Sequence, residues 1–339
     1  PFTGGQNMGP FNGGSNMGPF NGAQNFGKKM RALICGSYAF DQIMVFPDKF
    51  KNHILPEKVH MINVSFLVPD MRREFGGTAG NIAYNLNLLG EEALPMATVG
   101  TDFGPYKEWM ESCGVTTDYI QQVDGSFTAQ AFITTDLDDN QITAFHPGAM
   151  NSSHLNVISN AKDISLGIVS PDGRDGMIEH ATQFANADIP FIFDPGQGLP
   201  MFGKEDLMQF IEQATYITVN DYESAMMQER TGLSVVEIAE RVSAMIVTRG
   251  GEGAYIYADG HRIEIPVVEA EHTLDPTGCG DAFRAGLLYG LINDLEWSVT
   301  GRIASLLGSI KIESHGTQNH NFNMDEFRDK YQSEFGVQF

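Results

Sequence analysis

The chain has 339 residues, with 21 Lys and Arg against 43 Asp and Glu, a formal charge of −22 and 19% charged residues. It is long enough to bury a sizeable core and is not compositionally disordered. Its acidity speaks against a nucleic-acid polymer or an anionic membrane surface as partner, because both select clustered Lys and Arg. Any anion it binds must be held locally.

Residues 1–29 stand apart. Asn-Met-Gly-Pro-Phe-Asn-Gly at Asn7 to Gly13 recurs at Asn16 to Gly22, and Asn25-Phe26-Gly27 begins a third copy. This Gly- and Asn-rich, low-complexity stretch buries too little apolar surface to offset its ordering entropy and is expected to be a mobile tail. From Met30 to the end, short apolar runs alternate with helical stretches, the pattern of a βα-built domain around a mainly parallel sheet. Core strands are predicted at Ala32 to Cys35, Leu94 to Val99, Ile164 to Val169, Phe191 to Phe193, Tyr216 to Val219 and Met245 to Thr248. Helices are predicted at Asn81 to Leu89, Tyr106 to Cys113, Met177 to Ala187, Glu205 to Ala214, Asp221 to Arg230, Val235 to Val242 and Asp281 to Ile292. Two stretches break the rhythm, Val59 to Val68 and a hairpin of Ala129 to Thr135 with Gln141 to Phe145. They predict a small β subdomain, from about 42–75 and 127–147, that covers a site as a lid. Cys35, Cys113 and Cys279 show no paired spacing, which fits a reducing compartment. The apolar runs are too short for a membrane span or a signal-peptide core, so a soluble, cytoplasmic protein is expected.

Four segments carry chemistry. Asp275-Pro276-Thr277-Gly278-Cys279-Gly280-Asp281 is a glycine-punctuated loop running into a helix whose first N–H groups would face an anion. Asp281 reads as an ordinary N-cap. A carboxylate in an anion-binding turn also repels the ligand, a conflict resolved if it takes the proton of an attacking hydroxyl. Gly76-Gly77-Thr78-Ala79-Gly80-Asn81 reads on its own as a turn with an amide cap. Asn220-Asp221-Tyr222-Glu223 has the spacing of a helix capping box. Thr248 to Gly253 reads as a hairpin turn.

Together these segments resemble the ribokinase-like (PfkB) sugar and nucleoside kinases, whose C-terminal signature usually reads Asp-Thr-Thr-Gly-Ala-Gly-Asp. The resemblance runs from Met30 to about Glu326 and is nearest to the bacterial adenosine kinases. It implies a three-layer α/β fold with a central, mainly parallel sheet and a β lid. It implies transfer of the γ-phosphoryl of ATP to the 5′-hydroxyl of adenosine, with Mg²⁺ and activation by K⁺, and pairing of lids into a homodimer. In this likeness Asp281 is the base, the amides of Gly278, Cys279 and Gly280 receive the phosphoryl group, and Asp275 helps to hold K⁺. Asp41, Gly77 and Asn81 bind the ribose, whose vicinal hydroxyls suit a carboxylate acceptor. Asn220 and Glu223 support Mg²⁺ and phosphate through water, and Thr248, Gly250 and Gly253 face ATP.

For the acceptor base, Phe132 and Phe145 match the pair that sandwiches adenine in those relatives, and Ser37, Ser65 and Gln197 match its polar contacts. Without the resemblance, aromatic residues on half-buried strands are ordinary packing. The pattern departs at Gly198, where the relatives often carry a second glutamine. Another nucleoside, or a free sugar such as ribose, is the alternative acceptor. A dinucleotide oxidoreductase is disfavoured because Gly278-x-Gly280 lacks its third glycine, and no GxxxxGK[ST] occurs. A catalytically silent sensor is disfavoured by the retained Asp281. The nine histidines show no metalloenzyme spacing.

Overall fold

In the computed structural model the described residues are 30–54, 64–138 and 140–339. The tail, and residues 55–63 of the expected β insertion, lie outside them. No helix among the described residues is long and apolar enough to cross a membrane.

Among the described residues the main sheet has nine strands. Parallel strands β1 (Ala32–Cys35), β4 (Ala93–Val99), β5 (Tyr119–Gln122), β8 (Leu166–Val169), β9 (Phe191–Phe193), β10 (Tyr216–Asn220) and β11 (Ala244–Thr248) lie in the order β11-β10-β9-β8-β1-β4-β5. An antiparallel hairpin, β12 (Ala254–Ala258) and β13 (His261–Ile265), extends the β11 edge. Successive side chains point to opposite faces, so strands buried on both sides feed two cores. Ala32 and Ile34 join a cluster with α1 (Thr78–Leu88), α7 (Cys279–Ile292), α8 (Trp297–Ile312) and α9 (Met324–Phe335). Leu33 and Cys35 join one with α3 (Arg174–Asn186), α4 (Lys204–Gln213), α5 (Asp221–Thr231) and α6 (Val235–Ala239). Helix α2 (Gly104–Ser112) adds Tyr106 and Met110 to the first cluster. This is the three-layer α/β arrangement the sequence pattern requires.

A second sheet leaves the C-terminal end of β1. It comprises β2 (Ala39–Val45), β3 (Asp70–Gly76), β6 (Ala129–Thr135) and β7 (Gln141–His146), in the order β3-β2-β6-β7. The hairpin read from sequence is β6 with β7, paired Thr135 to Gln141 through Gln130 to His146. Strands β2 and β3 were not predicted: β3 reads Asp-Met-Arg-Arg-Glu-Phe-Gly and most of it is exposed, so no buried stripe marks it. Helices α8 and α9 and strands β5, β12 and β13 were likewise not predicted. In α7 and α8 the close approach is set by small residues, since a Cβ on Gly286 would lie 2.4 Å from the Ala304 Cα.

Candidate active site

In a parallel sheet, ligands bind beyond the carboxyl ends of the strands, where connections diverge. Here Ser37 follows β1, Asp194 follows β9, Asn220 ends β10 and Thr248 ends β11. The second sheet rises from the same rim.

Asp281 lies in the first turn of α7, and Gly278 caps that helix in the left-handed region at φ 81°. A Cβ there would come within 3.0 Å of Thr317 as well as straining the backbone, so the cap requires glycine. The Cys279 N–H turns back to the Pro276 carbonyl at 3.2 Å, while the first-turn N–H groups have no acceptor within the helix. Burial pushes the Asp281 carboxyl up to about 7. The Asn81 amide and Arg284 oppose this, whereas Asp194 and Asp41 add to it. A carboxyl poised there is half ionised near neutrality, the condition a general base needs.

Asn81 comes from α1, which packs against α7. Its Nδ2 donates to Asp281 Oδ2 at 2.7 Å. Its Oδ1 accepts from Gln318 Nε2 at 3.0 Å, and Gln318 Oε1 accepts from the Trp109 indole at 2.9 Å. An indole N–H can only donate. Trp109 therefore fixes the sense of the Gln318 amide, which fixes that of Asn81 and presents an N–H, not a carbonyl, to Asp281. The Tyr106 hydroxyl also accepts from Gln318 Nε2 and donates to the Gly76 carbonyl, tying the relay to the second glycine motif.

Below the loop, Asp194 and Arg284 form a buried bidentate pair at 2.9 and 3.1 Å, and Arg284 also reaches the Gly280 carbonyl at 3.3 Å. Asp275 accepts from the Thr277 and Gly316 N–H groups, both at 2.9 Å. Although burial pushes its carboxyl up, these bonds and the Lys311 charge hold it below the usual range.

Asp41 stands on β2 opposite Glu74 of β3 and Ala131 of β6. Burial, with the charges of Glu74 and Asp275, pushes its carboxyl up to about 6. A Cβ on Gly77 would come within 2.6 Å of the Ala39 N and the Ser37 carbonyl, which explains the tight glycine turn. Asp41, Asp275 and Asp281 are close enough to feel one another's charge; of these, Asp275 is held by the Thr277 and Gly316 N–H groups, which leaves the Asp41 and Asp281 carboxyls as the acceptors suited to hydroxyl donors.

The two aromatic residues expected to sandwich a base do not share a face. Phe145 lies opposite Ala131, in the row of Asp41, whereas Phe132 lies opposite Ala144 and in the row of Gln42. A single-residue offset flips a side chain to the other face of a sheet. Within one chain only Phe145 is turned to the Asp41 side, so the intrachain clamp does not form. Ser37 is also redirected: its hydroxyl accepts the Thr78 N–H at 3.2 Å and is buried with Thr78. Gln197, in the turn after β9, is exposed; Ser65 is exposed beside Phe66, whose ring packs on Phe46 and Phe50 beyond the outer end of β2, so it is not brought to the rim with the other residues. Asn220 and Glu223 form a reciprocal capping box at 2.7 and 2.8 Å, and burial together with Asp194 pushes the Glu223 carboxyl up. The Thr248 hydroxyl meets the Val219 carbonyl at 3.4 Å. Gly250 and Gly253 take φ 53° and 81° in the turn before β12.

Sequence reasoning assigned no role to Trp109, Lys311, Asp194 or Gln318. Lys311 had a signal, a cation at the end of the apolar stretch from Ile303 to Ile312. Trp109 and Gln318 had none, because their contact spans 209 positions.

A match to the pfkB family carbohydrate kinase pattern spans residues 42–323. The structure of Burkholderia thailandensis nucleoside kinase in complex with inosine is 52% identical, with TM-score 0.82, covering 91% of this chain and 99% of that one. The nucleoside kinase of Methanocaldococcus jannaschii is 30% identical over 301 residues, 87% of this chain and 94% of that protein. Its crystal structure, an archaeal member of the ribokinase family, has TM-score 0.82 over 91% of this chain and 100% of that one. The cytidine kinase of Thermococcus kodakarensis is 25% identical over 245 residues, 68% of this chain and 86% of that protein.

Proposed function

The chain belongs to the pfkB family of carbohydrate kinases, and on that premise we propose that it is an ATP-dependent nucleoside kinase, phosphorylating the 5′-hydroxyl of purine nucleosides, adenosine and inosine among them. The observation that carries this reading is Asp281. Its carboxyl is pushed up to about 7 beside a glycine loop and helix start built to receive an anion. Asp41, Gly77 and Asn81 supply the acceptors and close backbone approach a ribose requires. The 52% identity to a kinase solved with inosine supports a nucleoside over a free sugar.

Asp281 takes the proton as the 5′-oxygen attacks the γ-phosphorus. The bond from that phosphorus to the β–γ bridging oxygen breaks, and ADP leaves with its electron pair. Backbone amides of Gly278, Gly280 and the start of α7 stabilise the charge on the transferring group, the Cys279 N–H being turned instead to the Pro276 carbonyl. Mg²⁺ neutralises phosphate charge and arrives with ATP. The half-buried Glu223, whose charge Asp194 opposes, fits a hydrated dication reached through water. Closure of the β2-β3-β6-β7 sheet over the cleft excludes water and limits wasteful hydrolysis.

We further propose that this lid pairs with a second copy. Phe132, Ile142 and Met71 are exposed on the face turned away from Asp41, and β7, exposed along its length, has no strand on its outer edge among the described residues. Light scattering that reports a monomer at working concentration overturns the pairing. The catalytic reading is tested by ADP release from Mg²⁺·ATP over adenosine, inosine, guanosine, cytidine, ribose and fructose. Purine nucleosides are expected to give the highest kcat/KM and a 5′-monophosphate by phosphorus NMR. Ribose or fructose as the best acceptor, or no ADP release, refutes it.

A further inference from the structure

The carbonyl oxygens of Asp275 and Ser314 converge beneath the anion loop on one group, the Lys311 ammonium, at 2.6 and 3.2 Å. Lys311 is fully buried, in the last turn of α8. The carboxylate of Asp275 is already used, one oxygen by the Thr277 N–H and the other by the Gly316 N–H. Thr317, on the same segment, packs against the cap glycine Gly278. The ammonium thus ties the 275–280 loop to the end of α8 and the segment that follows it, behind the amides that face the anion.

We propose that the Lys311 ammonium is the monovalent cation of this site, and that the protein needs no potassium ion there. Backbone carbonyl oxygens are the donor type a potassium ion takes, and the resemblance to the ribokinase-like kinases places such an ion beside Asp275. Here the residues do not fit one. Both carbonyls already accept from an ammonium, and a metal ion drawn to them would sit against a fixed positive charge. What a bound ion would supply, positive charge behind the anion loop and a tie between two loops, is attached covalently. Burial pushes the Lys311 ammonium down from the usual lysine range, and the charges of Cys279, Asp275 and Asp281 oppose that. Its field is felt by the surrounding groups. It counters the rise in the Cys279 thiol and adds to the burial that lowers His320.

The inference rests on the kinase reading for its consequence and on the Lys311 contacts for its placement. The test uses the purified full chain, with ATP as its Tris salt and MgCl₂. Initial rates are compared in choline, sodium, potassium and ammonium chloride at equal ionic strength. Wild-type rates are expected to agree within about 2-fold, the residual that salt screening alone produces. Lys311→Met, which keeps the stem and removes the charge, is expected to be at least about 10-fold slower in choline and to recover in potassium or ammonium. Its melting temperature is expected to rise in potassium over choline, while the wild-type midpoint does not move. A wild-type enzyme that loses 10-fold or more in choline and recovers in potassium overturns the proposal. So does a Lys311→Met enzyme at full rate in choline. Should the variant fail to fold, the wild-type comparison decides alone. Should wild type release no ADP in any salt, the kinase reading falls, and the wild-type melting comparison still decides the cation site.

Discussion

The relay from Trp109 to Asp281 makes a prediction in which pH separates a positioning role from a packing role. Gln318→Met keeps the length and apolar fill of the buried side chain but removes the donor that holds the Asn81 carbonyl oxygen. The Asn81 amide is then free to turn away from Asp281, which it now meets at 2.7 Å. A hydrogen bond to a charged group contributes about 1.5–3 kcal/mol, and one pKa unit corresponds to about 1.4 kcal/mol. Loss of the Asn81 bond therefore raises the Asp281 carboxyl by about 1–2 units. With Asp281 as the proposed base the carboxylate is the working form, so activity is expected to rise with pH through its pKa. In wild type the acid limb of kcat/KM is expected near pH 7. In the variant it moves to about pH 8–9, so the ionised fraction at pH 7 falls from about one half to between about one tenth and one hundredth. The assay is kcat/KM for a purine nucleoside from about pH 5.5 to 9.5. A loss of about 5- to 50-fold at pH 7 that largely recovers by pH 9 supports the relay. A uniform loss at every pH, with the limb unmoved, refutes it.

Two further substitutions probe the cleft and its support. Phe145→Ala is expected to raise the nucleoside KM about 5- to 10-fold, the worth of an aromatic contact with a base. Phe132→Ala, on the other face of the lid, is expected to change it less than about 2-fold in the monomer; equal effects in a monomeric enzyme would contradict the face assignment. Arg284→Met leaves the buried Asp194 carboxylate without its partner and is expected to cost about 3–5 kcal/mol in urea unfolding. Adding Asp194→Asn is expected to restore much of that, and a cost below about 1 kcal/mol for Arg284→Met alone would contradict the pairing.

What could be read in the sequence was what periodicity encodes. The parallel strands are buried on both faces, so β1, β4, β8, β9, β10 and β11 stood out as apolar runs. The glycine loops stood out because φ near 80° and close backbone approach leave few alternatives. Elements whose character comes from tertiary contact did not stand out. In α8 the small residues that let α7 approach weaken the helical signal, and in β3 the solvated face hides the strand. The site was legible as a set of motifs but not as a geometry. Phe132 and Phe145 read as a clamp because each is an aromatic residue on a lid strand. The closure of the hairpin at Thr135 and Gln141 puts them one position out of register, and so on opposite faces. Asn-x-x-Glu was open between capping and phosphate support; the hydrogen bonds show the cap, and the half-buried Glu223 carboxyl leaves room for the second role. Trp109 and Gln318 meet only after α2 and the segment beyond α8 pack together, which no local pattern announces.

The central claim is that the Asp281 carboxylate takes the proton of the attacking nucleoside hydroxyl. Asp281→Asn preserves size and the contact with Asn81 while removing the base. Single-turnover transfer from Mg²⁺·ATP to adenosine or inosine at pH 8 is expected to slow by at least about 10²-fold, with nucleoside Kd within about 3-fold of wild type by titration calorimetry. Transfer within a few-fold of the wild-type rate, at saturating nucleoside, would contradict the assignment of Asp281 as the base.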